Sequence, residues 1–211
     1  MKPLRSIPGF AALAAFCITL VLPTVSNADG TPQQTVKSLS DAVIAVLQDK
    51  GASADQKRNK IQEIVKQYTD FDTMSRLILA RNWKALDDGK KQLFVEEFRE
   101  HLSVTYGRNV ESYHDEKVQV IGDRDEGRGD WTVQTKILRP GGGADILVDY
   151  RLRQESGTWK VIDMVIERVS LVSNYRSQFQ DLMANGGIDK VLTVLREKNA
   201  AGQPLKAPKA S

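Results

Sequence analysis

The chain has 211 residues, with 30 lysines and arginines against 27 aspartates and glutamates, so its formal net charge is +3. Lys2 and Arg5 belong to a predicted export signal, and removing them lowers the charge from +3 to +1. This small charge gives no electrostatic basis for a nucleic-acid-binding protein.

The first 28 residues have the pattern of a cleaved signal peptide. Lys2 and Arg5 precede an apolar run over residues 10–22, and Ser26-Asn27-Ala28 offers small residues where a signal peptidase cuts. The run is shorter than the roughly 20 residues that cross a bilayer. The only cysteine, Cys17, lies inside this segment. We therefore expect cleavage after residue 28, leaving one domain over residues 29–199 that is stabilised by its core rather than by disulfides.

Four helices are predicted between residues 31 and 106. Thr31-Pro32 begins the first, which ends before Gly51, and Ser53 begins the second. Asp70 is expected to begin a third helix that runs to Trp83. Asp87 begins the longest helix, in which large apolar side chains recur at every fourth position. Those side chains are Phe94, Phe98, Leu102 and Tyr106.

From Lys117 the pattern alternates between apolar and polar residues, which predicts four antiparallel strands. A charged, glycine-rich loop is expected over residues 122–130, and Pro140 to Gly143 predicts a turn. The fourth strand is predicted to run from Trp159 to Val169. Helices followed by consecutive strands predict an α+β fold. The apolar face of the sheet is predicted to consist of Val118, Val120, Val133, Ile137, Ile146, Val148, Tyr150, Ile162, Met164 and Ile166.

At Ser170 the period changes from two to nearly four, which predicts a helix after the sheet. Leu171, Tyr175 and Phe179 lie on one side of it. Asn185-Gly186-Gly187 is expected to stop this helix, and another begins at Ile188. Residues 200–211 are rich in proline and lysine and are predicted to form a disordered tail.

Three segments carry a family resemblance. The run WKVIDMVIERVSLVSNYRSQF, residues 159–179, resembles a strand W-K-V-x-D-x-x-x-E-G followed by V-S-L-V-x-N-Y-R-x-Q-F. DFDTMSRLILARNW is similar to D-F-x-x-M-x-x-x-x-L-G-x-x-W, and KQLFVEEFREHLSVTYGRNV to F-x-x-x-F-x-x-x-L-x-x-T-Y. These patterns are those of the MlaC family, the periplasmic phospholipid-binding components of the Mla (toluene-tolerance) lipid transport system. Ala80 and Arg168 stand where the family usually has glycine.

The resemblance implies a curved four-stranded antiparallel sheet of the NTF2-like kind, covered by helices and enclosing an apolar cavity for acyl chains. It implies a periplasmic, non-enzymatic carrier that serves outer-membrane lipid asymmetry. The implied partners are phospholipid, the inner-membrane Mla ABC transporter complex and an outer-membrane lipoprotein–porin complex. We expect a monomer with no cofactor other than bound phospholipid, no metal and no nucleic-acid partner.

The predicted lipid-binding residues come from both sheet and helices. From the pattern alone they favour a solid core, and the resemblance instead predicts that they line a cavity. They are Met74, Leu77, Phe94, Phe98, Leu102, Tyr106, Val133, Ile137, Ile146, Val148, Tyr150, Ile162, Met164, Ile166, Leu171 and Tyr175.

Other functions stay open at this point. A carrier for another lipid, such as a hopanoid, would have the same architecture. A small NTF2-like lyase or isomerase would use Asp149 or Asp163 as a pocket carboxylate. His101 and Glu97 lie one helical turn apart, and such a pair is more often a surface contact than a metal or acid–base site.

Overall fold

The computed structural model describes residues 30–107 and 113–205, so the predicted signal peptide lies outside the described residues. No helix in these two ranges is long and apolar enough to cross a membrane. The helices are α1 (Pro32–Gln48), α2 (Ala54–Tyr68), α3 (Phe71–Leu79), a 3₁₀ helix (Ala80–Ala85), α4 (Asp88–Tyr106) and α5 (Leu171–Ala200). The strands are β1 (Lys117–Gly127), β2 (Asp130–Leu138), β3 (Ile146–Glu155), β4 (Thr158–Ile166) and β5 (Val169–Ser170).

The helices begin at the predicted capping residues. In α1 the Thr31 hydroxyl accepts from the backbone N–H of Gln34, whose side chain accepts in return from the Thr31 N–H. Ser53 and Gln56 form the same capping box on α2. Such reciprocal caps satisfy backbone donors that the first helical turn leaves free. The starts of α1 and α2 are therefore confirmed.

The third helix is shorter than predicted because the backbone turns at Ala80. This residue has φ 49° and ψ −120°, which ends α3 and begins the 3₁₀ helix. Trp83 lies in the 3₁₀ helix and is buried. The prediction of one continuous helix from Asp70 to Trp83 is therefore wrong.

The sheet is an antiparallel meander in the order β1-β2-β3-β4-β5. Three of its hairpins turn on two residues with positive φ, namely Arg128–Gly129, Ser156–Gly157 and Glu167–Arg168. Positive φ at both positions defines a type I′ turn, whose twist matches that of the flanking strands. The predicted loop over residues 122–130 is therefore mostly strand, and the predicted fourth strand is divided into β4 and β5.

Three β-bulges interrupt the register of the described strands and change which side chains share a face. One lies at Ile162, because Arg151 pairs with Asp163 while Leu152 pairs with Val161. The bulge brings Val161, predicted for the opposite face, to the same side as Met164. The other two lie in β1, one at Ile121, where the side chain is 49% exposed, and one at Glu126.

The two edges of the sheet differ. β1 forms one edge, and its second half carries the consecutive charged residues Asp123, Arg124, Asp125 and Glu126. Along β4, the opposite edge is covered partly by β5 and partly by a bridge between Thr69 and Val161.

Buried apolar side chains form two clusters. The sheet cluster joins α1 to the sheet, and the helical cluster joins α3, α4 and α5. The sheet cluster consists of Val36, Leu39, Val133, Val148, Tyr150, Leu152 and Val161. The helical cluster consists of Met74, Ile78, Leu79, Trp83, Phe94, Phe98, Leu171, Val172, Tyr175, Phe179, Ile188, Val191, Leu192, Leu195 and Leu205.

Helix α5 is broken in the middle. Gly186 and Gly187 have non-helical backbone angles, which separate a first segment (residues 171–185) from a C-terminal segment (residues 188–200). The predicted stop at these glycines is therefore confirmed. Past the helix, the chain turns at Gly202 (φ 63°), and Leu205 is only 8% exposed within the helical cluster. The predicted disordered tail thus starts too early, and residues 206–211 lie outside the described residues.

Candidate functional site

The two clusters meet at Met164 and Ile166. Both side chains are partly buried, and both pack against the sheet cluster as well as the helical cluster. They lie near the end of β4, on the side of the sheet that carries Tyr150 and Val148, their register partners on β3. We call this junction the seam.

Other partly buried apolar side chains lie at the same end of the sheet as the seam. The register pairs Ile137 with Ile146, and Val148 with Ile166, so the end of β2, the start of β3 and the end of β4 lie together. The C-terminus of α1 also lies near this end. Its last residue, Gln48, donates to the hydroxyl of Tyr113 at 3.3 Å, and Tyr113 precedes the start of β1, which pairs with the end of β2. Partial burial of large apolar groups from several elements is typical of an apolar groove.

The structure brings fifteen of the sixteen predicted lipid-binding residues into or against the two clusters. Ile162, at the β4 bulge, is fully buried but belongs to neither cluster. Met74, Phe94, Phe98, Leu171 and Tyr175 lie in the helical cluster, with Leu77, Leu102 and Tyr106 packed against it. Val133, Val148 and Tyr150 lie in the sheet cluster, with Ile137 and Ile146 packed against it, and Met164 and Ile166 contact both.

Sequence reasoning missed the contribution of α1 and α2 to this region. Val36 and Leu39 of α1 are buried on the sheet, and Val43, Ile64 and Tyr68 pack against the sheet cluster. The apolar stripes of these helices are visible in the sequence, and those stripes are the signal that could have found them. The element that each stripe covers depends on contacts far apart in the chain.

The two seam residues and their register partners Val148 and Tyr150 are uncharged. Burial raises the pKa of the Tyr175 phenol, and nearby Tyr106 raises it further. Burial also raises the pKa of the Tyr150 phenol. Both hydroxyls therefore stay neutral at physiological pH. The junction offers apolar surface and neutral hydroxyls, which suits a ligand without charge in the part that is bound there.

Two surface depressions lie elsewhere, on α2. One, of about 510 Å³, is lined by Glu63, Lys66 and Lys160 together with Ile64 and Gln67. The other, of about 420 Å³, lies between α2 and α4. None of the predicted lipid-binding residues lines either depression.

The two carboxylates considered for catalysis have different surroundings. Asp163 is 1% exposed, and its oxygens accept from the Ser170 hydroxyl at 2.6 Å and the Val172 N–H at 3.0 Å. It therefore holds the start of α5. Asp149 lies on β3 opposite Val165 and Gln134, on the face away from Tyr150. Asp163 lies opposite Arg151, so the register makes the two carboxylates diagonal neighbours on one face of the sheet, and the buried one is engaged with the start of α5.

His101 is completely buried, and it joins α4 to the end of α5. Its Nδ1 lies 3.0 Å from the Asn199 side-chain oxygen, and its Nε2 accepts from the Leu205 N–H at 3.3 Å. Glu97 accepts from Asn199 and from Arg196 rather than from His101. The described residues contain no group of three or more side chains that could hold a metal ion.

Comparison with known proteins gives a matching family and curated relatives, two of which are described here. The model of the family described as MlaC protein matches residues 37–197. The intermembrane phospholipid transport system binding protein MlaC of Haemophilus influenzae is 23% identical over 201 residues, covering 92% of this chain and 93% of the relative. The toluene tolerance protein ttg2D of Pseudomonas putida is 25% identical over 208 residues, covering 94% of this chain and 90% of the relative.

A solved structure has the same fold. The phospholipid-binding protein from Ralstonia solanacearum, determined in complex with a phospholipid, aligns with a TM-score of 0.75 at 23% identity. The alignment covers 82% of this chain and 99% of that protein. The likeness confirms the predicted α+β architecture of a curved antiparallel sheet covered by helices.

Proposed function

Because the chain belongs to the MlaC family, we propose that it is a periplasmic carrier that binds phospholipid and shuttles it between membrane complexes. The acyl chains would lie at the seam and extend between the two clusters. The phosphate head group would stay in water at the end of the sheet. The carrier would act without catalysis and without a cofactor other than the lipid itself.

The observation that carries this proposal is the seam. Met164 and Ile166 join two separate apolar clusters, and the surrounding side chains are large, apolar and only partly buried. A single solid core would leave fewer such groups at one end of a sheet. The Ralstonia solanacearum protein, which shares this fold, was solved with a phospholipid bound, and that supports the same ligand class here.

The energetics of lipid transfer favour a deep site. Each methylene kept out of water is worth about 0.8 kcal/mol, so two chains of about fifteen methylenes represent on the order of 20 kcal/mol. A shallow surface groove leaves much of that area in water. A site between sheet and helices covers it, and flexible liners such as Met74 and Met164 adapt to a ligand without directional contacts.

The proposed partners follow from the system that the relatives are named for. The carrier would exchange lipid with an inner-membrane ABC transporter complex and with an outer-membrane lipoprotein–porin complex. Export through a cleaved signal over residues 1–28 would bring it to the periplasm between them. Transport direction would be set by the relative affinities of these partners for the lipid.

Native mass spectrometry of the protein, purified without detergent, tests this function, followed by solvent extraction of the bound material. We expect a bound mass that resolves into phospholipid. A hopanoid in the extract would keep the carrier function and change its ligand class. A protein without bound lipid that takes none from liposomes would contradict the proposal. Catalytic turnover that disappears in Asp149→Asn or Asp163→Asn would instead support a lyase or isomerase.

Charged replacements at the seam and beside the helical cluster should reduce bound lipid. Leu102→Glu and Met164→Lys place a charge among apolar side chains, where an unpaired charge is strongly disfavoured in contact with acyl chains. We expect native mass spectra with less bound lipid while circular dichroism still shows a folded protein. Leu93→Glu is the matched control, because Leu93 is 39% exposed on α4. Unchanged lipid occupancy in both Leu102→Glu and Met164→Lys would contradict the position of the site.

A further inference from the structure

We infer that the C-terminal segment of α5 is a lid, hinged at Gly186–Gly187 and latched to α4, that opens to admit acyl chains beneath it. The inference rests on the proposed function and deepens it. The lid would form a second wall of the proposed site. This wall lies on the helical side of the molecule rather than at the end of the sheet where the seam lies. The ligand class is the acyl chain of a lipid.

The hinge lies where only glycine fits. Gly187 has φ 63° and ψ −161°, a conformation that is essentially confined to glycine. A Cβ on Gly186 would lie 2.8 Å from the Lys190 Cβ. The helical backbone conformation is interrupted at these residues, so α5 is kinked between the two segments.

The first segment of α5 is fixed to the rest of the fold at its start. The buried Asp163 carboxylate accepts from the Val172 N–H at 3.0 Å, which holds this end against β4. Arg176 donates through Nε and Nη2 to the Leu77 carbonyl, at 3.0 and 2.6 Å, which fixes the same segment to α3. This segment is therefore part of the rigid frame.

The C-terminal segment is held differently, by apolar packing on α4 and by a polar latch at its far end. In the latch, Asn199 donates to the Glu97 carbonyl at 3.0 Å, and Arg196 pairs with the Glu97 carboxylate at 2.7 Å. His101 completes the latch through Asn199 and the Leu205 N–H. Near the hinge, a Lys90–Asp189 ion pair of 2.9 Å adds one exposed contact. Among the described residues, no strand pairing and no disulfide bond holds this segment in place.

The helical cluster must open to accept acyl chains because its own side chains fill it. The rings of Phe94, Phe98, Tyr175 and Phe179 contact one another at centroid distances of 5.0 to 6.2 Å. These rings are at most 3% exposed. The C-terminal segment of α5 packs on the same cluster, so its displacement makes room without breaking the sheet or the first segment of α5.

A reversible cross-link tests the lid. Glu97→Cys and Asn199→Cys are introduced in the full chain with Cys17→Ser, and the two cysteines are joined by a short reducible thiol cross-linker. We expect phospholipid transfer between fluorescently labelled liposomes to stop when the link is in place and to return on reduction. The reduced double variant lacks the latch, so it should transfer at least as fast as the Cys17→Ser parent. A cross-linked protein that transfers lipid at the reduced protein's rate would overturn the lid.

Hydrogen exchange separates failure of the lid from failure of the carrier function, because it requires no lipid. The amides of residues 188–205 should exchange faster than those of residues 171–185, and the cross-link should slow only the former. Equal protection of the two segments would overturn the hinge even if lipid is bound. A parent protein that binds no lipid but shows this exchange pattern would contradict the carrier and keep the hinged segment.

Discussion

Ala80 and Arg168 occupy backbone conformations that glycine adopts without steric cost. Their φ values are 49° and 67°, and both stand where the MlaC family usually has glycine. Ala80 ends α3, and Arg168 is the second residue of the type I′ turn between β4 and β5. A side chain in this region is strained by contact between its Cβ and the backbone. The chain therefore holds these two backbone turns at a cost in stability.

Restoring glycine should stabilise the protein. We expect Ala80→Gly to raise the free energy of unfolding by about 1 kcal/mol, and Arg168→Gly to raise it by less, because glycine's extra freedom in the unfolded chain offsets part of the gain. Urea denaturation measures both values. Ala85→Gly is the control, since Ala85 lies in the same 3₁₀ helix with negative φ, and it should be neutral or destabilising. Loss of stability in Ala80→Gly would show that the positive φ is not strained.

His101 should make stability depend on pH. Burial holds its pKa below the ordinary 6.5, against the raising effect of Asn199. The charged groups around it are Lys198 of α5, which lowers the pKa further, and the Glu97–Arg196 pair. Its Nε2 accepts a hydrogen bond from the Leu205 N–H, so the folded state favours the neutral imidazole.

The sign of the effect follows from proton uptake. Below pH 6.5 the unfolded chain protonates this histidine while the folded chain does not, so the free energy of unfolding falls as pH falls toward the folded-state pKa. The slope approaches about 1.4 kcal/mol per pH unit for one such group. We expect His101→Asn to flatten this dependence in urea titrations between about pH 6.5 and 5, while His114→Asn retains it. An unchanged slope in His101→Asn would exclude His101 as its source.

At the scale of elements, the start of α5 depends on a carboxylate from the sheet. Asp163 accepts from the Val172 N–H, and Ser170 caps the helix through the Ser173 N–H at 3.0 Å. The motif D-x-x-x-E-R-V-S thus connects β4 to the helix that follows it. Its aspartate has a structural explanation that needs no catalytic role.

Asp163→Ala should therefore destabilise the fold. It leaves the buried Val172 N–H without a partner and removes a helix-capping acceptor, which together cost about 2 kcal/mol or more. Chemical denaturation followed by circular dichroism measures the loss. Asp149→Ala, at a partly exposed position on the neighbouring strand, should change stability by less than about 0.5 kcal/mol. Equal effects of the two replacements would contradict the capping role.

Local signals predicted the elements better than their ends and faces. Thr31, Ser53 and Asp87 each cap a helix that begins where the sequence indicates, because capping acts within four residues. The bulge at Ile162 and the division of the last strand were not predicted, since both depend on pairing with β3 and β5. The positive φ of Ala80 was also not predicted, because an alanine in a sequence does not indicate this conformation.

At the scale of the whole molecule, the apolar residues were predictable but not their division. The alternation of the strands and the four-residue spacing of α4 gave both seam residues and part of each cluster. Their separation into a sheet cluster and a helical cluster depends on α1 packing on the sheet through Val36 and Leu39. Periodicity shows that a face is buried, and it does not show which element covers it. The space proposed for a ligand between the two clusters is equally absent from the pattern.

The edge strand β1 bears on how copies of this protein avoid aggregating. Its outer backbone groups could template another strand, which is how many sheets begin to aggregate. The bulge at Ile121 bends this edge, and Asp123, Arg124, Asp125 and Glu126 put four charges along the rest of it. Charged, bulged edges oppose strand-to-strand stacking between copies. The charged, bulged edge of β1 thus opposes fibre formation through edge-to-edge pairing between copies of the protein.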